Sequence, residues 1–350
     1  MQAKYVLVAA LIIGLAAALV PSLAQTPAAT GFPVNVTDDL GVTTTVARAP
    51  ERIVSLSPAN TELLFDLGVG DKIVGVDSYS NYPAAANNIT RVSGFSEINY
   101  EAITAVAPDL IFVEDIIGEA AVTRLRGMGF PVIELKHSNL TMLKQDIGLM
   151  GQATGTPANA TALIASIDAV VAQIQSRAAA LKLDPKPDVL LVTGLYGDET
   201  IYPFGNGTYG DELIRLAGGR NAAGNISQFG IMSHEAIIAE DPDVIIIPVD
   251  AISAPYVQAF QNGSMAWANG LRAVRAGQVY TVDADVVNRP PKIADTGLMI
   301  ANIIREYAAN VTATATPGVS PTATPTPGFA AMFALAGLLG AASLIARKAR

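Results

Sequence analysis

The sequence predicts an α/β protein of two lobes joined by one long rigid α-helix. Three observations carry that expectation. Short apolar runs alternate with helix-patterned segments between residues 51 and 310. A glycine-free stretch of helical period, 157–182, divides the alternation into two series. Low-complexity or apolar ends stand outside it, at 1–24 and 311–350. Strands of a parallel sheet are covered on both faces, so they read as near-continuous apolar runs rather than alternating ones.

In the first series, 52–56, 72–76, 109–113 and 131–135 read as buried parallel strands, and 59–68, 100–106 and 119–127 as the helices between them. Ser57 followed by Pro58 suits an N-cap and a first helical position, which places a helix start directly behind the first strand. In the long segment, Leu163, Ile164, Ile167, Val170, Val171, Ile174 and Leu181 recur at helical spacing. About 25 residues at roughly 1.5 Å each make a strut of about 38 Å, too stiff for wide hinge closure. Asp184-Pro185-Lys186-Pro187 stops it. The second series has strands at 188–192, 243–247 and 278–282 and helices at 209–217, 233–239 and 292–308. The expected divisions are 1–24, signal peptide; 25–50, N-terminal extension; 51–156, first lobe; 157–183, linking helix; 184–310, second lobe; 311–327, stalk; 328–350, sorting or anchor segment.

The ends give the location. Lys4, an apolar run from Tyr5 to Val20, Pro21 and Ser22-Leu23-Ala24 have the form of a secretory signal. Val311 to Pro327 is a Thr/Pro/Ala tract that cannot build a core and predicts an extended stalk. Beyond it lie an apolar stretch, 330–346, and the basic residues Arg347, Lys348 and Arg350, which should stay in the cytoplasm. The folded body is therefore expected on the extracellular face of the membrane, anchored at its C-terminus. Eight Asn-x-Ser/Thr sequons, at Asn35, Asn88, Asn139, Asn159, Asn206, Asn225, Asn262 and Asn310, agree with a surface glycoprotein. Chance alone predicts about two.

Composition removes several classes. Of 22 basic residues, four lie in the two ends, leaving 18 against 31 acidic residues in the body, a net charge of −13. Such a body repels phosphate backbones and argues against nucleic acid. Without cysteine there is no disulfide, thiol nucleophile or iron–sulfur ligation, and with only His137 and His234 a His-rich metal site is not expected. His234-Glu235-Ala236-Ile237-Ile238 lacks the second histidine of a zinc-protease helix. Gly205-Asn206-Gly207-Thr208-Tyr209-Gly210 has the G-x-G-x-x-G spacing, but 201–204 is a poor strand because of Pro203, so the motif reads as a loop.

The positive signal runs through Arg52 to Gly68 with Ser57-Pro58-Ala59-Asn60-Thr61-Glu62, through Ile73 to Pro83 with Ser78-Tyr79-Ser80-Asn81-Tyr82-Pro83, and through Val92 to Ile103. It resumes at Gly218-Gly219-Arg220-Asn221, Ser233-His234-Glu235, Asp241-Pro242-Asp243 and Arg289-Pro290. This pattern resembles the cobalamin- and iron-chelate-binding proteins of ABC importers, nearest to the cobalamin binder, over about 51–307. Pro327-Gly328-Phe329 before the apolar stretch resembles the archaeal sorting signal named for those three residues.

The resemblance implies Rossmann-like lobes with a ligand cleft between them, no catalytic step and no intrinsic cofactor. It implies a cobalamin-type corrinoid or ferric chelate as the transported ligand, with haem or a ferric siderophore as alternatives. Partners would be an ABC-importer permease and ATPase, for a monomer. Candidate ligand contacts are Ser57, Pro58, Ala59, Tyr79, Tyr82, Phe95, Tyr196, Tyr202, Phe204, Phe229, Asp285 and Arg289. Flat aromatic faces bury large area at small entropic cost, which suits such ligands. Tyr79, Tyr82 or Met232 could serve a haem as axial ligand, and Trp267 is expected to serve core or surface packing. Glu101 and Glu235, one at a helix start in each lobe, match carboxylates that dock onto permease arginines. A glycosylated surface protein without a transport role is the competing reading, and an enzyme holding a metal cluster the remaining one.

Overall fold

The computed structural model describes residues 31–94, 97–195, 201–261, 263–287 and 293–315, with only the backbone at 285 and 313–315. The described chain begins with an antiparallel hairpin, β1 (Val34–Thr37) and β2 (Thr43–Val46). The expected N-terminal extension thus carries structure of its own. It is fastened to the first lobe where Arg126 pairs with Asp38, and where Asp39 N–H donates to the Glu134 carbonyl at 3.2 Å.

The first lobe follows as β3 (Ile53–Ser55), α1 (Pro58–Asp66), β4 (Ile73–Asp77), β5 (Arg91–Ser93), α2 (Tyr100–Ala105), β6 (Leu110–Glu114), α3 (Glu119–Gly127), β7 (Val132–Leu135) and α4 (Leu140–Thr154). Its five strands are all parallel, in the order β5-β4-β3-β6-β7. The apolar runs are buried as expected: Leu110, Ile111, Phe112 and Val113 are all fully covered. The cap anticipated at Ser57 forms, its Oγ accepting from Asn60 N–H at 3.1 Å. Asn99 and Asn139 cap α2 and α4 in the same way.

The linking helix is α5 (Pro157–Leu181). Its buried residues, Ala160, Ile167 and Ile174, lie seven apart in a narrow stripe, so most of its alanine-rich surface faces solvent. α4 lies beside its first turns, where Lys144 pairs with Asp168 at 2.9 Å.

The second lobe contains β8 (Asp188–Leu195), β9 (Ile201–Pro203), α6 (Tyr209–Leu216), β10 (Arg220–Asn221), α7 (His234–Glu240), β11 (Val244–Val249), α8 (Ala254–Gln261), α9 (Arg272–Arg275), β12 (Val279–Asp283), α10 (Ala284–Val287) and α11 (Ile293–Ala315). The parallel order is β10-β8-β11-β12, with β9 antiparallel against β8. That strand corrects the reading of 201–204: Pro203 is tolerated because it is the last residue of a short strand whose register against β8 is irregular. Near Ile174, α11 comes so close to α5 that a Cβ at Gly297 would stand 2.5 Å from Ile174 Cδ1. Trp267 packs in the second core, stacked on His234 with ring centroids 4.0 Å apart.

Candidate functional site

In the first lobe β3 and β6 are neighbours, although β4 and β5 come between them in the chain. The winding direction therefore reverses at that pair, and a reversal leaves a crevice beyond the carboxyl ends of the strands. A cleft of about 650 Å³ opens there, walled by both lobes. Among the described residues, the first-lobe wall comes from four strand ends. Leu56 to Ala59 follow β3, Asp77 closes β4, Glu114 to Ile116 leave β6, and Lys136 to Ser138 leave β7.

Each of these positions is held from behind. Asp77 accepts from Tyr79 N–H at 2.7 Å and from the Ser80 hydroxyl, so its carboxylate is fixed and almost fully buried. His137 takes a left-handed backbone, φ 50°, rare for a residue with a Cβ. Asp146 of α4 holds it there, accepting from its backbone N–H at 3.1 Å and meeting its ring Nδ1 at 2.9 Å. Nε2 lies 2.8 Å from Asn60 Oδ1. This clamp turns the flanking Lys136 and Ser138 toward the cleft. Burial pushes the Glu114 carboxyl above its ordinary range, against the opposing pull of His137 and a hydrogen bond from Ser57. Burial likewise raises Asp39 and Glu134 behind the wall.

The second lobe contributes Tyr209, Gln228 and Phe229. The glycines of 205–210 explain how they are placed. A Cβ on Gly205 would come 2.4 Å from the Ile226 carbonyl oxygen, and the bare backbone there lets two loops zip together. Gly205 N–H donates to Gln228 O at 2.9 Å and Asn206 N–H to Ile226 O at 2.7 Å, which delivers Gln228 and Phe229 to the cleft. At Gly210 a Cβ would strike the Phe204 ring at 2.5 Å. The motif is thus a packing device for a loop, as its weak preceding strand suggested.

Ser57, Pro58, Ala59 and Phe229 line the cleft, four of the twelve contacts expected from sequence. Phe204 does not. It is fully buried, edge-on to Tyr209 at 5.1 Å and to Phe229 at 5.4 Å, and so backs the two rings that do. Tyr79 and Tyr82 stand exposed after β4, and Tyr202 on β9, none of them in the wall. Met232 is buried in the second core and cannot reach a ligand. Phe95, Tyr196 and Arg289 lie outside the described residues, as do 1–24 and the sorting segment; Asp285 sits on α10 with only its backbone described. Glu101 and Glu235 are exposed in the first turns of α2 and α7. The Glu235 carboxyl is held below its ordinary range by hydrogen bonds from its own backbone N–H and the Ser233 hydroxyl.

Of the sequons, Asn35, Asn88, Asn159, Asn206, Asn225 and Asn310 are exposed, Asn139 is half-buried under its capping role, and Asn262 lies outside the described residues. Asn159 Nδ2, the atom a glycan would use, donates to Leu67 O at 2.7 Å. Asp77, Glu114, Asp115, Lys136, His137, Tyr209 and Gln228 were missed. The available signal was position: the first-lobe members all sit where a parallel strand ends.

Residues 53–286 match the periplasmic binding protein family. The chain belongs to that family. Residues 326–348 match the PGF-CTERM motif, an archaeal surface-anchoring signal, so the binding protein is held at the cell surface by its C-terminus. An uncharacterized ABC transporter substrate-binding lipoprotein of Bacillus subtilis is 30% identical over 262 residues, covering 74% of this chain and 81% of the relative. A cobalamin-binding protein of Halobacterium salinarum is 30% identical over 290 residues, covering 78% and 74%. The crystal structure of the vitamin B12-binding protein BtuF of Vibrio cholerae superposes with a TM-score of 0.63 at 25% identity, covering 74% of this chain and 98% of that one. The two-lobed α/β reading and the family resemblance therefore hold.

Proposed function

We propose that this binding protein captures a cobalamin-type corrinoid at the archaeal surface and passes it to the permease of an ABC importer, with no catalytic step. The observation that carries the reading is the cleft at the switch point, floored by Ser57, Pro58 and Ala59 and faced across by Tyr209 and Phe229. A floor of strand ends opposite aromatic rings suits a flat chelate. The described wall also favours a ligand whose metal arrives already coordinated. The His137 ring is fully buried and turned to protein neighbours, Nδ1 at 2.9 Å from Asp146 and Nε2 at 2.8 Å from Asn60 Oδ1, and the Tyr209 hydroxyl donates to Val287 O at 2.8 Å. The cobalamin-binding relative supports the same ligand. Glu101 and Glu235, exposed one per lobe, are the proposed contacts to permease arginines, because charged rims steer and orient an encounter.

Calorimetric titration of the purified protein with cyanocobalamin, cobinamide, haem and ferric siderophores tests this. One-to-one binding of corrinoids, weakened about tenfold or more by Phe229→Ala, is expected. Saturable binding of haem or a ferric siderophore without corrinoid binding would overturn the ligand and leave the family.

A further inference from the structure

The first-lobe wall of the cleft is acidic. Asp77, Glu114 and Asp115 line it, with Glu134 of β7 and Asp39 of the hairpin close behind. One ammonium faces them, that of Lys136, and its field also acts on Asp39 and Glu134, pulling both carboxyls down against the effect of burial. His137 offers the ligand no donor, because its ring is buried against Asp146 and Asn60. Among the described residues, then, a ligand entering this wall meets three carboxyl groups and one shared cation.

We propose that Asp77, Glu114 and Asp115 set specificity by admitting chelates with an amidated periphery and rejecting those with a carboxylate periphery. The proposal rests on the corrinoid reading above and sharpens it. A primary amide brings both an N–H donor and a carbonyl acceptor. It can donate to an ionised carboxylate in a charge-assisted bond, or accept from a protonated one. Its match with Glu114 therefore survives either protonation state, which suits a carboxyl that burial pushes upward. A ligand carboxylate has only acceptors, and brings like charge into a partly desolvated site where repulsion is far stronger than in bulk water. Asp77 is almost fully buried and held by Tyr79 and Ser80, so it acts mainly through its field. Asp115 is exposed and Glu114 half-buried, so these two remain for contact. Such a wall discriminates by what it repels as much as by what it binds.

The test uses two probes with the same cobalt and macrocycle: dicyanocobinamide, whose periphery is amidated, and dicyanocobyrinic acid, whose periphery is carboxylate. Each is titrated into the purified full-length protein in detergent at pH 7.5. The amidated corrin should bind at least about 100-fold more tightly at low salt. The ratio should shrink about tenfold or more in a Glu114→Gln, Asp115→Asn variant. In the unaltered protein it should also shrink with rising salt, which screens the exposed Asp115 and does not depend on how the variant folds. Equal affinities, or a ratio that withstands both the substitutions and salt, would overturn the selectivity and leave the corrinoid reading standing. Binding of neither corrin, alongside binding of haem or a ferric siderophore, would remove the ligand reading and this inference with it.

Discussion

At the scale of single residues, the cleft holds ionisable groups where an apolar floor would be more stable, and two of them make measurable predictions. The Glu114 carboxyl lies above its ordinary range because burial disfavours its charge, with Asp115 and Asp77 adding to the rise and His137 and Ser57 opposing it. A folded state that holds such a proton more tightly than the unfolded chain loses stability as pH climbs from the ordinary glutamate range, about 4.3, through the raised value. Glu114→Gln should therefore raise the melting temperature at neutral pH and flatten its fall as pH rises above the ordinary glutamate range. Asp39 and Glu134 shift in the same direction and remain, so some slope persists. Thermal melts at rising pH check this, and a slope as steep as in the unaltered protein would refute it. His137 makes the second prediction. With Asp146 wholly buried, His137→Ala removes the ring facing its carboxyl and leaves only the backbone N–H of residue 137. Breaking a buried pair from one side costs about 3 kcal/mol. Urea unfolding should show that loss; one below about 1 kcal/mol would mean that water takes the place of the ring.

At the scale of elements, the strands were legible because their chemistry is local. A run such as Leu110-Ile111-Phe112-Val113 declares itself as a strand covered on both faces. The long helix was legible for a similar reason, since it holds a helical period without glycine. Helix α4 escaped notice because Gly148 and Gly151 interrupt its pattern, and Gly151 is there for a reason visible only in the packing. A Cβ at that position would come 2.4 Å from the Ala160 Cβ of α5 and 3.3 Å from the Thr156 carbonyl. The glycine lets the last helix of the first lobe lie against the strut. Gly151→Ala should cost about 2 kcal/mol through overpacking, although alanine is the better helix former. Adding Ala160→Gly reopens the space, and the two propensity changes, about 1 kcal/mol each, nearly cancel. The double variant should then recover most of the loss, and strictly additive losses would show that these two positions do not meet. The cleft acids were illegible for a different reason. A charged residue after an apolar run reads as an ordinary solvated strand end. Only the order β5-β4-β3-β6-β7 makes four such ends converge, and that order is a property of the sheet. Phe204 shows the converse, since its aromatic character was legible but its place behind Tyr209 and Phe229 was not.

At the scale of the whole molecule, the question is how far the two lobes move when a ligand arrives. Three features brace the interval between them. The strut α5 packs on α4 near its start and on α11 near Ile174, so it is held in both lobes. Glu212 of the second lobe reaches the N-terminus of α4, accepting from Leu140 N–H at 3.0 Å, where a carboxylate also meets the positive end of the helix. The segment after β7 is pinned by Asp146 rather than free to swing. A body braced in this way should bind with small rigid-body shifts, in contrast to hinged binding proteins that close around their ligand. The absence of cysteine makes this directly measurable, because two introduced cysteines would be the only labelling sites. Thr104 and Ala239 are exposed, one on each lobe, and suit spin labels. The distance between them, measured by double electron–electron resonance with and without saturating cyanocobalamin, should change by less than about 2 Å, the usual limit for preorganised partners. A shift well beyond that limit would show that α5 bends or that the Glu212 contact opens. Release to the permease would then begin from a closed state that the ligand itself creates, rather than from lobes the permease must pull apart.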